Sequence, residues 1–96
     1  MLWHVVTLDV AALDAPARLN LEKKIFKLRE IDEILWFHSG RDVERPGNTA
    51  FITVFADRAA LERYRIHPAH LELAQALRDS HAVVHRLDLE DLPLPS

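Results

Sequence analysis

The sequence has no cysteine, which excludes disulfides and any thiolate-ligated metal site. It has no apolar run near the roughly 20 residues that a membrane-spanning helix needs, so no membrane is expected among its partners. Nor is there a basic cluster. Twelve Lys and Arg stand against fifteen Asp and Glu, a net charge of −3, with the two signs interspersed. A nucleic-acid surface normally presents a concentrated positive patch, and no nucleic-acid partner is expected. Internal repeats, low-complexity segments and a second domain are also missing from the pattern. A strand signal begins at Leu2, which leaves no room for a signal peptide. The expected location is therefore the cytoplasm.

What is present is a chain of 96 residues, 49% of them apolar, enough for one modest core. Residues 2–10 read as a strand, rich in Val, Thr and Trp and nearly alternating. His4, Val6, Leu8 and Val10 share one face; Trp3, Val5, Thr7 and Asp9 share the other. Asp14 can cap a helix over residues 15–29, with Pro16 tolerated in its first turn. Ala17, Leu21, Ile25 and Leu28 form its apolar stripe, and its late lysines suit the helix dipole. Residues 34–41 return to strand, with Ile34, Trp36 and His38 opposite Leu35 and Phe37. Pro46-Gly47 is the pair expected at the centre of a type II turn, closing a hairpin with a strand over residues 49–56. Asp57 caps a short helix to Arg65, a second helix runs on to about Asp79, and residues 81–89 form the last strand. The Leu92-Pro93-Leu94-Pro95-Ser96 tail lacks the donors for a regular ladder and is expected to be an extended arm or disordered.

The stretch Tyr64-Arg65-Ile66-His67-Pro68-Ala69-His70 organises the second half. His67 precedes a proline, which biases its backbone towards the extended region. Pro68 suits the first position of a new helix, where its missing N–H costs nothing. The second helix is thus broken at His67-Pro68. Tyr64 shares a face with Leu61, and His70 shares one with Leu73, Ala74 and Leu77, so both polar rings aim inward. Such a pair is either a structural corner or the polar end of a pocket. His67 has a plain role as the cap of the new helix. His67 and His70 are three apart, but no cysteine or carboxylate stands in register with them, and no metal is expected.

The order β-α-β-β-α-β is the split βαβ arrangement of ferredoxin-like α+β folds, with one four-stranded antiparallel sheet. Its helices can cover only one face. Trp3 and Val5, Leu35 and Phe37, Ile52 and Val54 then have no layer over them. An exposed apolar face of that size favours association. Packing against a second copy of the sheet is the expected solution, giving a homodimer.

Several of these residues carry a resemblance. The opening Trp3-His4-Val5-Val6, Gly40-Arg41-Asp42, Phe55-Ala56-Asp57 with Ala60-Leu61, the run from Tyr64 through His67-Pro68-Ala69-His70, and Leu87-Asp88 together resemble the stress-responsive dimeric α/β-barrel (Dabb) family. The resemblance implies a Dabb domain over residues 1–91, followed by the tail at 92–96, with two sheets forming a shared barrel. In a plant polyketide cyclase branch of that family a Tyr and a His match Tyr64 and His70. The resemblance there implies that His70 removes an acidic proton between two carbonyls and that Tyr64 stabilises the resulting oxyanion. His4 matches a first-strand histidine facing the same cavity, and no cofactor is needed.

On this reading Tyr64 and His70 are the catalytic candidates. His4, Val6, Leu8, Phe51, Phe55, Leu73 and Leu77 line the pocket of a small apolar or carbonyl-containing ligand. Three functions remain open. The first is a dimer that binds a small molecule without catalysis. The second is a cofactor-independent lyase or cyclase of the intramolecular aldol type. The third is a haem-binding or monooxygenase-like relative on the same barrel.

Overall fold

The computed structural model describes residues 1–94. Pro95 and Ser96 of the expected tail lie outside them, and Leu92–Leu94 belong to no helix or strand. Strand β1 (Leu2–Asp9) leads through a tight turn to α1 (Ala15–Lys27). The Asp14 carboxylate accepts from Ala17 N–H at 2.9 Å, capping the helix, and Leu21 and Ile25 turn its apolar stripe onto the sheet. The helix tightens into a 3-10 turn over Leu28–Glu30, which buries Leu28 and delivers Ile31 to the core.

Strand β2 (Trp36–Arg41) and strand β3 (Asn48–Phe55) form the hairpin, α2 spans Arg58–Arg65, α3 spans Pro68–Ser80, and β4 (Val83–Glu90) closes the chain. The sheet is antiparallel throughout, in the order β2-β3-β1-β4. β1 is therefore central, paired on both edges. Leu2, His4, Val6 and Leu8 all face the helices and are buried. Lys24 and Lys27 of α1 both donate to Glu72 of α3, at 2.9 and 3.1 Å, joining the two long helices along their outer edge. The same two ammonium groups hold the Glu72 carboxyl below its usual range.

Two expectations about the hairpin need correction. The strand begins at Trp36, two residues late, because the chain is still turning through Ile34, whose N–H donates to Ile31 at 3.2 Å. Ile34 packs on the core from that turn, and Leu35 and Trp36 are both exposed, so the alternation slips by one residue: Phe37 points at the helices and packs on the core, and Trp36 takes the open face. Pro46-Gly47 does occupy the centre of a turn, closed by Asn48 N–H donating to Arg45 at 2.8 Å. No glycine has a positive φ, however, and a type II turn requires one at that position. Gly47 answers a different demand. A Cβ there would stand 2.6 Å from the Ala11 Cβ, where the β1–α1 turn crosses the hairpin.

The face of the sheet away from the helices carries Trp3, Val5, Trp36, Ile52, Val54, Leu87 and Leu89. Trp3 and Trp36 meet edge to face at 6.0 Å, and Val54 lies between them in register, only 3% exposed. Leu87, at 55%, has nothing over it.

The α2–α3 break follows from local chemistry. His67 is extended (φ −66°, ψ 138°), as a residue before proline prefers. Its Nδ1 accepts from Ala69 N–H at 3.0 Å, so it caps α3 in the manner of an Asx or Ser side chain. His67→Ala is expected to cost about 1 kcal/mol by urea denaturation, and His67→Asp to restore most of it. Equal stability of His67→Ala and wild type would refute the capping role.

Candidate active site

Four elements deliver the polar groups of the site. His4 is the second inward residue of the central strand and pairs across the sheet with Asp88 of β4 and Thr53 of β3. Its Nδ1 lies 2.5 Å from Asp88 Oδ1. The carboxylate can only accept, so Nδ1 carries the proton and Nε2 is left free in the neutral ring. The second Asp88 oxygen accepts from Arg65 Nη2 at 3.3 Å, at the end of α2. Arg65 reaches the site a second way: its backbone carbonyl accepts from His70 Nδ1 at 2.9 Å. A carbonyl cannot donate, so the His70 tautomer is fixed with Nδ1 protonated and Nε2 bare.

Tyr64 fills the space behind both imidazoles. Its ring centroid stands 4.6 Å from that of His70, 5.6 Å from His4 and 4.9 Å from Phe55. The residue is 0% exposed and its hydroxyl has no hydrogen-bond partner, a condition shared by the Thr53 hydroxyl. Burial, reinforced by the Asp88 charge, pushes the phenol well above its ordinary range. Tyr64 is thus a donor at any working pH. His70 moves the other way. Desolvation lowers its pKa below 6.5 despite the opposing hydrogen bond to Arg65, and the charges of His4, Arg86 and Arg65 lower it further. A neutral imidazole with a free Nε2 is the form a general base needs.

A pocket of about 260 Å³ opens between α3 and the sheet. His4, Val6, Phe51, His70, Leu73 and Leu77 all line it, together with Ala74, Arg78, Ala82, Val84 and Arg86. Tyr64 does not reach its wall; it stands one layer behind His70. Leu8 and Phe55, expected in the lining, lie in the core instead. Leu8 is two strand positions beyond Val6, past the end of the pocket, and Phe55 is covered by Tyr64. A larger hollow of about 680 Å³ lies on the open face of the sheet, beside His38, Ile52 and His85, and none of the inward polar rings lines it.

Asp88, Arg65, Arg78 and Arg86 are the residues that sequence reasoning gave no role. A signal existed for two of them. Val84, Arg86 and Asp88 alternate on the inward face of β4, and two charges on a face meant for the core ask for partners. Among the described residues no three His, Cys, Asp or Glu side chains gather as a metal site would require. At about 260 Å³ the pocket lies at the small end of the roughly 300–1,000 Å³ of sites for drug-sized ligands.

The whole chain superposes on known structures. A dimeric ferredoxin-like protein of unknown function from a Jannaschia species is 25% identical, with a TM-score of 0.76 over 94% of this chain and 98% of that one. An Arabidopsis thaliana protein is 23% identical, with a TM-score of 0.76 over 100% of both chains. SnoaB, a cofactor-independent oxygenase from Streptomyces nogalater, is 16% identical, with a TM-score of 0.76 over 97% of this chain and 94% of its own. At such identities the last two show the fold alone. No curated protein matches the sequence. The family model for the stress responsive A/B barrel domain (Dabb) matches residues 2–91, and the chain belongs to that family.

Proposed function

We propose that the protein is a homodimer that binds a small, mainly apolar carbonyl compound between α3 and the sheet, with His70 as general base. The observation that carries the reading is the bare Nε2 of a neutral His70 on the pocket wall, fixed there by the Arg65 carbonyl. Nε2 would take a proton from the carbon between two carbonyls. The electron pair left behind delocalises onto oxygen, and the Tyr64 hydroxyl, which lacks a protein partner, would donate to it once His70 and the ligand move enough to admit the contact. In a cyclase the carbanion then attacks a second carbonyl of the same molecule and forms a carbon–carbon bond. The imidazolium returns its proton to the new alkoxide, and loss of water follows. The His4–Asp88–Arg65 array holds the surrounding charges in place.

A second reading shares the first step. SnoaB bears the description cofactor-independent oxygenase, and a stabilised carbanion can pass an electron to dioxygen instead of attacking a carbonyl. The test is turnover of a short 3,5,7-trioxoalkanoate ester, whose C2 lies between two carbonyls and can close a six-membered ring on the C7 carbonyl, with the phenol formed after loss of water measured by absorbance and oxygen uptake by electrode. Cyclisation without oxygen uptake is expected, and uptake matched to substrate loss would support the oxygenase. His70→Gln should lower the rate by about 10²–10⁴-fold, and Tyr64→Phe by about 10²-fold, with less effect on binding. Full activity in His70→Gln would end the base assignment.

The pH dependence follows from the depressed His70 pKa. The native state resists protonation that the unfolded chain accepts near 6.5, so stability falls as pH drops below that value towards the native pKa. Above it the penalty vanishes. His70→Gln is expected to flatten thermal stability across this acid window while leaving the neutral range nearly unchanged. A variant that keeps the wild-type slope would show that His70 titrates normally.

Association is expected through the open sheet face, and the similar Jannaschia protein is described as dimeric. Leu87 pairs with Val5 at the centre of that face and is 55% exposed in the single chain. Leu87→Lys therefore leaves the monomer fold intact and places an ammonium in the proposed interface, where an unpaired charge costs several kcal/mol. Sedimentation should then show monomer; an unchanged dimer would locate the interface elsewhere.

A further inference from the structure

We infer that the ligand of this pocket carries a carboxylate, held by Arg78 and Arg86, on a body that packs against the apolar pocket walls. The inference deepens the reading of the pocket given above and rests on it. Apart from the imidazoles, the charged side chains in the lining are these two arginines, and no acidic residue lines it. That is a local reversal of sign in a chain of net charge −3. The nearest inward carboxylate, Asp88, is already engaged by His4 and Arg65.

Among the described residues neither arginine forms an ion pair, whereas Arg41, Arg58, Arg63, Arg65, Lys24 and Lys27 all do. Arg78 donates once, from Nη2 to Gln75 Oε1 at 2.9 Å, which leaves most of its fork unused. The two come from different elements. Arg78 belongs to the last turn of α3, and Arg86 faces inward from β4, opposite Val6. Both arginines line the one pocket and are exposed at its open side, so an entering anion meets two positive charges and no negative one.

On the helix wall of the pocket His70 stands at one end and Arg78 at the other. His70, Ala74 and Arg78 follow one another at helical spacing along α3, so His70 and Arg78 are separated by about 12 Å of axial rise. On the sheet side His4 and Arg86 lie at successive inward pairs of β1 and β4. Val6, Phe51, Leu73, Leu77 and Val84 form the walls in between. An acid group at the arginines would leave room for a short carbon chain or a single ring against those walls. A planar carboxylate matches the guanidinium fork. A phosphate dianion is a poorer fit, because Arg78 sits at the negative end of the α3 dipole and no helix N-terminus faces this end.

The experiment compares hexanoate with hexanamide by ligand-detected NMR and isothermal titration on the intact protein. The acid should bind at least tenfold more tightly, and added salt should shrink the difference. Arg78→Gln and Arg86→Gln should each reduce the preference several-fold, and the double variant should abolish it, with unchanged thermal midpoints confirming the fold. Arg86→Lys should retain part of it. Equal binding of acid and amide, binding of neither, or a preference that survives in the double variant would overturn the assignment. So would tighter binding of hexyl phosphate than of hexanoate. The ratio of acid to amide affinity separates the two readings: it reads the arginines whether or not the protein turns over a ketone, so a failure of the base chemistry would not alter this result, nor the reverse.

Discussion

The site depends on one unsatisfied carbonyl. In a continuous helix the N–H of Ala69 would bond to the carbonyl of Arg65 four residues earlier. Pro68 turns the chain, and Ala69 donates to the His67 ring instead. The Arg65 carbonyl is left without its helical donor at a half-covered helix end, where such groups find a side chain or water. His70 supplies the N–H. One histidine thus takes the donor released by the break and the other takes the acceptor. The consequence for chemistry is that His70 is held in the tautomer with Nδ1 protonated and Nε2 free. Under the function proposed above, one hydrogen bond would both close the helix break and prepare the base.

Much of this was legible in the sequence because it is local. The Asp14 and Asp57 caps, the extended His67 before Pro68 and the inward phase of Tyr64 and His70 all depend on neighbours within a turn of helix. The strand alternation that turned His4 inward is equally local, and so is the β-α-β-β-α-β order. What escaped was long-range or set by the exact point where an element begins. Asp88 meets His4 across 84 positions of chain, and only the register of two strands brings them together. Phe37 and Trp36 exchanged faces because the alternation slips by one residue where the turn enters β2, leaving Leu35 and Trp36 both exposed. Gly47 read as a turn glycine, yet its constraint is contact with Ala11, a residue of another turn.

The two faces of the sheet divide the work. On the helix side the apolar residues are sealed in the core except along α3, where the pocket begins. On the other side Val54 is already shielded by Trp3 and Trp36 within one chain, so the aromatic pair covers part of that face and the leucines of β4 remain bare. A lesion on one side need not be felt on the other, because β1 contributes alternate residues to each and its backbone is paired on both edges.

The Tyr64 hydroxyl is the feature that packing does not explain. Phenylalanine would fill the same volume between Phe55, His4 and His70, and would bury no unpaired polar group. Leaving a buried hydroxyl unpaired costs about 1–3 kcal/mol, a substantial share of the stability of a small domain. Asp88 raises the phenol pKa further rather than accepting its proton, since both of its oxygens are taken by His4 and Arg65. The hydroxyl is therefore kept protonated, desolvated and without an internal acceptor, directly behind an imidazole whose proton-accepting nitrogen is also free. The two rings stand 4.6 Å apart between centroids and tilted by 53°. Under the function proposed above, the stability given up by the fold at this hydroxyl would become stabilisation of charge that exists only during the reaction.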